Sequence, residues 1–145
     1  MASTDTIGDA LITDLLTIAG IVQVSSEPRL HTEMAKPGAC LMPGGGGTSD
    51  PFTLSNLRGN AEHRFVVRLF VSSSTPRQDL DNLMDAARNA IERSGSALAA
   101  VVSPAVDHAT VVEWNDVSTD ESVAQNTWIR DLTVAVHYLY SRGSL

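Results

Sequence analysis

The chain has a single cysteine, Cys40, in 145 residues. One thiol excludes an internal disulfide framework and any zinc site built from several cysteines. Alone, Cys40 reads as a small buried hydrophobe rather than a catalytic nucleophile. Long apolar runs are also missing. None approaches the roughly 20 residues that a membrane-spanning helix requires. The opening Met1-Ala2-Ser3-Thr4-Asp5 has no basic stretch before an apolar one, so no signal peptide is expected, and synthesis and folding in a cytoplasm are. Positive charge is scarce. Ten basic residues stand against seventeen acidic ones, for a net charge of −7. Such a chain lacks the electrostatic footprint of a protein that neutralises phosphates, although it could surround DNA without gripping it. Lysine is nearly absent: Lys36 is the only one, beside nine arginines. Arginine suits interfaces because its planar fork pairs with carboxylates and stacks on rings. A GC-rich genome would produce the same bias.

What remains is an ordinary globular composition, 43% hydrophobic and 19% charged. A chain of this length is expected to form one domain, residues 1–145, and to bury about 70% of its unfolded surface without disulfides or metals. The patterning predicts an α+β fold, with two amphipathic helices on one face of a small, mostly antiparallel sheet.

The first helix is expected over residues 5–19. Ile7, Leu11, Ile12, Leu15, Leu16 and Ala19 recur at helical spacing, Asp9, Thr13 and Asp14 face away, and Gly20 is the stop. Short strands are expected at Ile21–Val24 and Ala39–Met42. Residues 43–62 read as a long loop, because Pro43, the run Gly44-Gly45-Gly46-Gly47 and Pro51 interrupt regular structure. Few apolar anchors lie nearby apart from Phe52, Leu54 and Leu57, so this loop is expected to be mobile at 44–60. Arg64 to Val71 alternates as a strand. Phe65, Val67, Leu69 and Val71 take one face; Arg64, Val66, Arg68 and Phe70 take the other. The second helix is expected at 76–94, with Thr75 as cap, Pro76 at its first position, Gln78 completing a capping box, and Gly95 as a left-handed terminator. Its apolar stripe is Leu80, Leu83, Met84, Ala87, Ala90 and Ile91. Two closing strands follow, Thr110–Val117 and Ile129–Tyr140, joined by the polar hairpin loop Ser118–Gln125.

No catalytic signature emerges. The Gly44–Gly47 run is not a phosphate loop, since Thr48-Ser49-Asp50-Pro51 follows where a lysine and a helix N-terminus are needed. No two of His31, His63, His108 and His137 have the i, i+4 spacing of a helical metal site. His63, His108 and His137 lie in or beside different strands and could still meet in space. Asp79, Asp81 and Asp85 read as solvated residues on the outer face of the second helix, and no Gly-x-Ser-x-Gly elbow is present. Arg64 and Arg68 project from the less apolar strand face. They suit either plain solvent or a subunit interface that uses a neighbour's carboxylates.

The order of elements resembles the tail terminator family of long-tailed bacteriophages and related tail-completion and minor tail proteins. The likeness is carried by Asp9–Ile18, the strand Arg64–Val71, the run Gln78-Asp79-Leu80-Asp81-Asn82-Leu83-Met84-Asp85-Ala86 and the strand Leu132–Tyr140, and it extends from about residue 5 to residue 141. The resemblance implies a structural, non-enzymatic protein without cofactor or metal. It would form a homohexameric ring on the tail tube protein, stop tube growth, present a surface to the head–tail connector protein, and let DNA pass through its pore without sequence-specific binding. Its place would be the virion, at the tail end or neck, after assembly in the host cytoplasm. On this reading Arg64 and Arg68 belong to a subunit interface. Gly44, Gly45, Gly46, Gly47 and Phe52 belong to a loop that touches tube or connector. Two alternatives stand beside it: another head–tail connector or minor tail component, and a small α+β ligand binder or enzyme with a site built from His63, His137 and Glu113.

Overall fold

The computed structural model describes residues 3–49, 58–102 and 105–141. Phe52 and the loop residues 50–57 therefore lie outside the described residues. The elements run α1 (Ser3–Leu15), β1 (Gln23–Ser25), a 3-10 turn (His31–Glu33), β2 (Gly38–Ser49), β3 (Arg58–Val71), α2 (Pro76–Glu92), β4 (Ala105–Asp116), α3 (Asp120–Ala124) and β5 (Trp128–Ser141). The five strands form one sheet in the order β1-β2-β3-β5-β4. The β1–β2 pair is parallel and the other three pairs are antiparallel. The fold is α+β, as the patterning predicts.

Strand alternation builds the core. Phe65, Val67, Leu69 and Val71 of β3 and Leu132, Val134 and Val136 of β5 point to one face. There they meet Ile7, Leu11 and Leu15 of α1 and the whole α2 stripe from Leu80 to Ile91. Each such large apolar side chain contributes about 1.5–3 kcal/mol through burial. α1 lies over β1 and β2, and α2 over β3, β5 and β4. A smaller cluster of Met34, Cys40, Phe70 and Ile129 forms on the opposite face. Cys40 is fully buried there, and burial pushes its thiol pKa up.

Several expectations need correction. α1 ends at Leu15, earlier than residue 19, and the chain continues in tight turns to Gly20, whose φ of 84° fits its role as a stop. Leu16 and Ala19 consequently leave the apolar stripe and are exposed. Asp14 moves the other way, from the expected outer face to complete burial. Around α2, Thr75 holds the cap position but its side chain makes no capping bond. Gly95 is not left-handed; the helix ends through an extended Arg93.

The largest difference is the glycine run. β2 does not stop at Met42 but continues to Ser49, paired with β3 as far as Ser49 opposite Asn60. The register shifts between Pro43 and Gly46, and Gly45 sits there with φ 86°. A Cβ on Gly44 would fall 2.7 Å from the Arg64 carbonyl oxygen, and one on Gly46 2.6 Å from that of Glu62. Here the glycines permit close approach of two strands at a bulge, a use that composition alone does not separate from a loop.

β4 also begins earlier than expected, at Ala105. Register shifts between Val106 and His108 and between Val111 and Glu113 break its alternation, which obscures the strand in the sequence. The segment Ser118–Gln125, expected as a loop, contains the helical turn α3. Thr119 Oγ1 accepts the Ser122 N–H while Ser122 Oγ accepts the Thr119 N–H, a reciprocal cap that closes the turn.

Candidate functional site

The sheet face turned away from α1 and α2 carries the polar residues singled out from the sequence. β3 and β5 align Arg68 with Asp131 and Glu62 with His137. Because these pairs sit directly opposite, their side chains meet on this open face. Arg68 donates from Nε to Asp131 Oδ1 at 2.8 Å and from its terminal nitrogen to Oδ2 at 3.0 Å. This two-pronged pair is mostly covered, and its hydrogen bonds raise the guanidinium pKa above its ordinary value. Arg64 donates to Glu62 Oε1 at 3.3 Å. His137 lies 3.9 Å from the same carboxylate and stacks on His108, with ring centroids 4.4 Å apart. Glu113 faces Thr133 at 3.5 Å. The expected arginines thus share one face, but each already has a carboxylate partner within its own chain. Arg64 stays the more open, with 42% of its side chain exposed.

His63 does not join the other two histidines. It pairs in register with Val136 and packs edge-on against Phe65, on the helix-covered face. Partial burial lowers its pKa. His63 and His137 are on opposite sides of the sheet, so no site forms from His63, His137 and Glu113. Among the described residues, no three His, Cys, Asp or Glu side chains converge in a way that could hold a metal ion.

Two polar centres were not anticipated. Arg130 lies two residues before Leu132 and so shares its core-facing side; that parity was the available signal. Its side chain is buried, donates to Asp81 at 2.6 Å and to Asp116 at 2.7 Å, and lies 4.1 Å from the Trp114 ring centre. Burial acts to lower the guanidinium pKa, and the hydrogen bonds it donates to Asp116 and Asp81 more than offset it. Asp81 is therefore not simply solvated: it ties α2 to the β4–β5 pair. Asp14 is the second centre. It accepts the Ala97 N–H at 2.6 Å and the Leu98 N–H at 3.0 Å. No spacing rule would have revealed it, because the partners are backbone groups far along the chain.

Concave surfaces are shallow. An open groove of about 590 Å³ runs between the end of α1 and α2, lined by Ile18, Ala19, Ala86, Asn89 and Arg93 among others. A hollow of about 560 Å³ near the start of α1 includes Asp5, Asp9, Glu27, His63 and Phe65. Neither brings a nucleophile against a base, the arrangement covalent catalysis needs. Among the described residues, no helix is long and apolar enough to cross a membrane.

No protein-family model matches the chain, and no curated protein sequence does. The fold does have a solved counterpart. A chain in the virion of a native gene transfer agent particle superposes with a TM-score of 0.63 at 12% identity, covering 96% of this chain and 98% of that one. The shared property is the arrangement of helices and strands along nearly the full length of both chains.

Proposed function

We propose that this chain is a virion assembly protein that forms a ring at the end of a phage-type tail tube, stops tube polymerisation and offers a surface for head joining. The observation that carries this reading is the fold correspondence with a chain of a gene transfer agent virion across nearly all of both chains. The surface chemistry supports it. Charges on the open sheet face are paired in-chain, an arrangement suited to recognition rather than to proton transfer. Arg64 and Arg68 are assigned to subunit contact through this face, with the more exposed Arg64 outermost. The segment around Gly44–Gly47 is assigned to contact with tube or connector. Another head–tail joining component is the runner-up, since the solved counterpart belongs to a whole virion.

Electron microscopy of tail tubes polymerised with and without the purified chain tests the proposal. A ring at one tube end and arrested growth are expected. Tubes of unchanged length with bare ends overturn it, and binding to connector rings alone favours the runner-up.

A further inference from the structure

Trp114 is 46% exposed although its ring lies against a buried side chain. The Arg130 guanidinium, 4.1 Å from the ring centre, covers one face of the indole, and only 3% of the Arg130 side chain reaches solvent. The exposed area of Trp114 therefore belongs to its other face and its rim. β4 is an edge strand, so no further strand of the sheet covers that surface. A tryptophan held from behind and open in front is among the side chains that dominate protein contacts.

The charge around this ring is unbalanced. Asp81 and Asp116 share the single Arg130 guanidinium, at 2.6 and 2.7 Å, and each keeps about half of its side chain exposed. Two carboxylates on one guanidinium leave a negative charge beside the open indole. The neighbouring turns do not cancel it. Asp85, Arg88 and Glu92 follow Asp81 along the same flank of α2 at helical spacing. Ala105–Ala124 carries Asp107, Glu113, Asp116, Asp120 and Glu121. Arg88 is the only lysine or arginine in Asp81–Glu92 and Ala105–Ala124 taken together.

This edge receives a side chain and not a strand. The Glu92 carboxylate accepts the Val111 N–H at 2.7 Å, and the register shift between Val111 and Glu113 puts Val112 in a bulge, 45% exposed. A charged group and a bulge at a strand edge discourage strand addition. The ring and the surplus carboxylate both select a cation. The π-face of a tryptophan attracts a cation within about 6 Å. A planar guanidinium can lie on that face while its fork reaches a carboxylate, which a lysine ammonium cannot do. The methylene stem of an arginine also covers apolar surface such as Val112. A second copy of this chain brings the same net charge of −7, so a partner of opposite charge approaches more readily.

We propose that the β4 edge docks a different, basic protein, which lays an arginine on the open face of Trp114. The indole is then held between two guanidiniums, that of Arg130 behind and that of the partner in front, and the Asp81 and Asp116 carboxylates offset both charges. This docking point is separate from the open sheet face, and it does not require that the chain cap a tube.

The probe is the peptide acetyl-Gly-Leu-Arg-Leu-Gly-amide, and its control carries citrulline, the neutral isostere, in place of arginine. Trp114 and Trp128 are the two tryptophans of the chain, so their indole N–H signals in isotope-labelled protein report on each separately. The arginine peptide should shift the Trp114 signal saturably and leave that of Trp128 in place. The citrulline peptide should bind about tenfold more weakly. Trp114→Leu keeps an apolar surface without a π-face, and it should lose most of the preference for arginine. An unshifted Trp114 signal overturns the inference. Equal binding of the two peptides by wild type also overturns it, since the patch would then act by apolar packing alone, and so does a Trp114→Leu chain that keeps the wild-type preference. Should that variant fail to fold, the comparison of the two peptides on wild type still decides. A Trp114 signal that moves on raising the protein concentration with no peptide present would put a second copy in this place and overturn the choice of partner.

Discussion

The Asp14 carboxylate accepts the Leu98 backbone N–H at 3.0 Å, joining the last turn of α1 to the turns that follow α2. The same carboxylate takes the Ala97 N–H, and its side chain is fully buried. Removing it strands two donors away from water. Asp14→Ala should therefore destabilise the chain by about 2–4 kcal/mol in a urea titration, with Asp14→Asn intermediate because one acceptor oxygen survives. An Asp14→Ala chain as stable as wild type would mean that water reaches both amides.

This contact marks the boundary of what the sequence discloses. The two helices, the inward faces of β3 and β5 and the α+β class follow from apolar periodicity, and Leu80 through Ile91 fall where it places them. Periodicity reports which face a residue takes only when burial follows polarity. Asp14 and Arg130 break that link, since each is polar yet compensated inside by partners distant in sequence. The glycines at 44–47 deceive for a different reason. Lack of a side chain permits either a loose loop or a tight approach of two backbones, and the neighbouring strand decides which. Arg64 and Arg68 were legible as residents of one face; that Asp131 and Glu62 hold them depends on β3–β5 register and on a contact within β3.

Gly44 offers a direct check of the strand assignment. Its missing Cβ would lie 2.7 Å from the Arg64 carbonyl oxygen and 2.9 Å from the carbonyl carbon. These are backbone atoms and cannot rotate aside. Gly44→Ala should cost about 1–3 kcal/mol and speed amide exchange in the neighbouring part of β3. Unchanged stability would show that β2 and β3 are not closely paired at this position.

His63 should impose a pH dependence. Burial lowers its pKa below the ordinary 6.5. The unfolded chain then binds the proton more readily than the folded one, so stability rises with pH in that window. The favourable balance is complete above about 6.5, the unfolded value, and is lost as pH falls through it toward the lower folded value. His63→Gln removes this contribution. The stability of wild type relative to the variant should therefore decline on acidification from about pH 7.5 to pH 5. A difference that stays constant across that range would place His63 in contact with solvent in the folded state.

The two arginines of the open face should separate folding from assembly. Arg68 holds Asp131 in a two-pronged pair that is mostly covered. Reversing it in Arg68→Glu loses those bonds and puts two carboxylates together, at an expected cost of about 1–3 kcal/mol. Arg68 is thus less dispensable to the fold than Arg64. Arg64 is more exposed and its bond to Glu62 is longer, so Arg64→Glu should shift stability by about 0.5 kcal/mol or less. If this face meets another subunit, Arg64→Glu should still reduce oligomers and tube capping, because reversed charge opposes the neighbour's carboxylates. The exchange Arg68→Glu/Asp131→Arg adds a control. It should recover stability by restoring the pair with opposite polarity, while assembly stays impaired wherever the contact reads the original order of charge. Full assembly by both Arg64→Glu and the exchanged pair would remove the open face from the subunit contact.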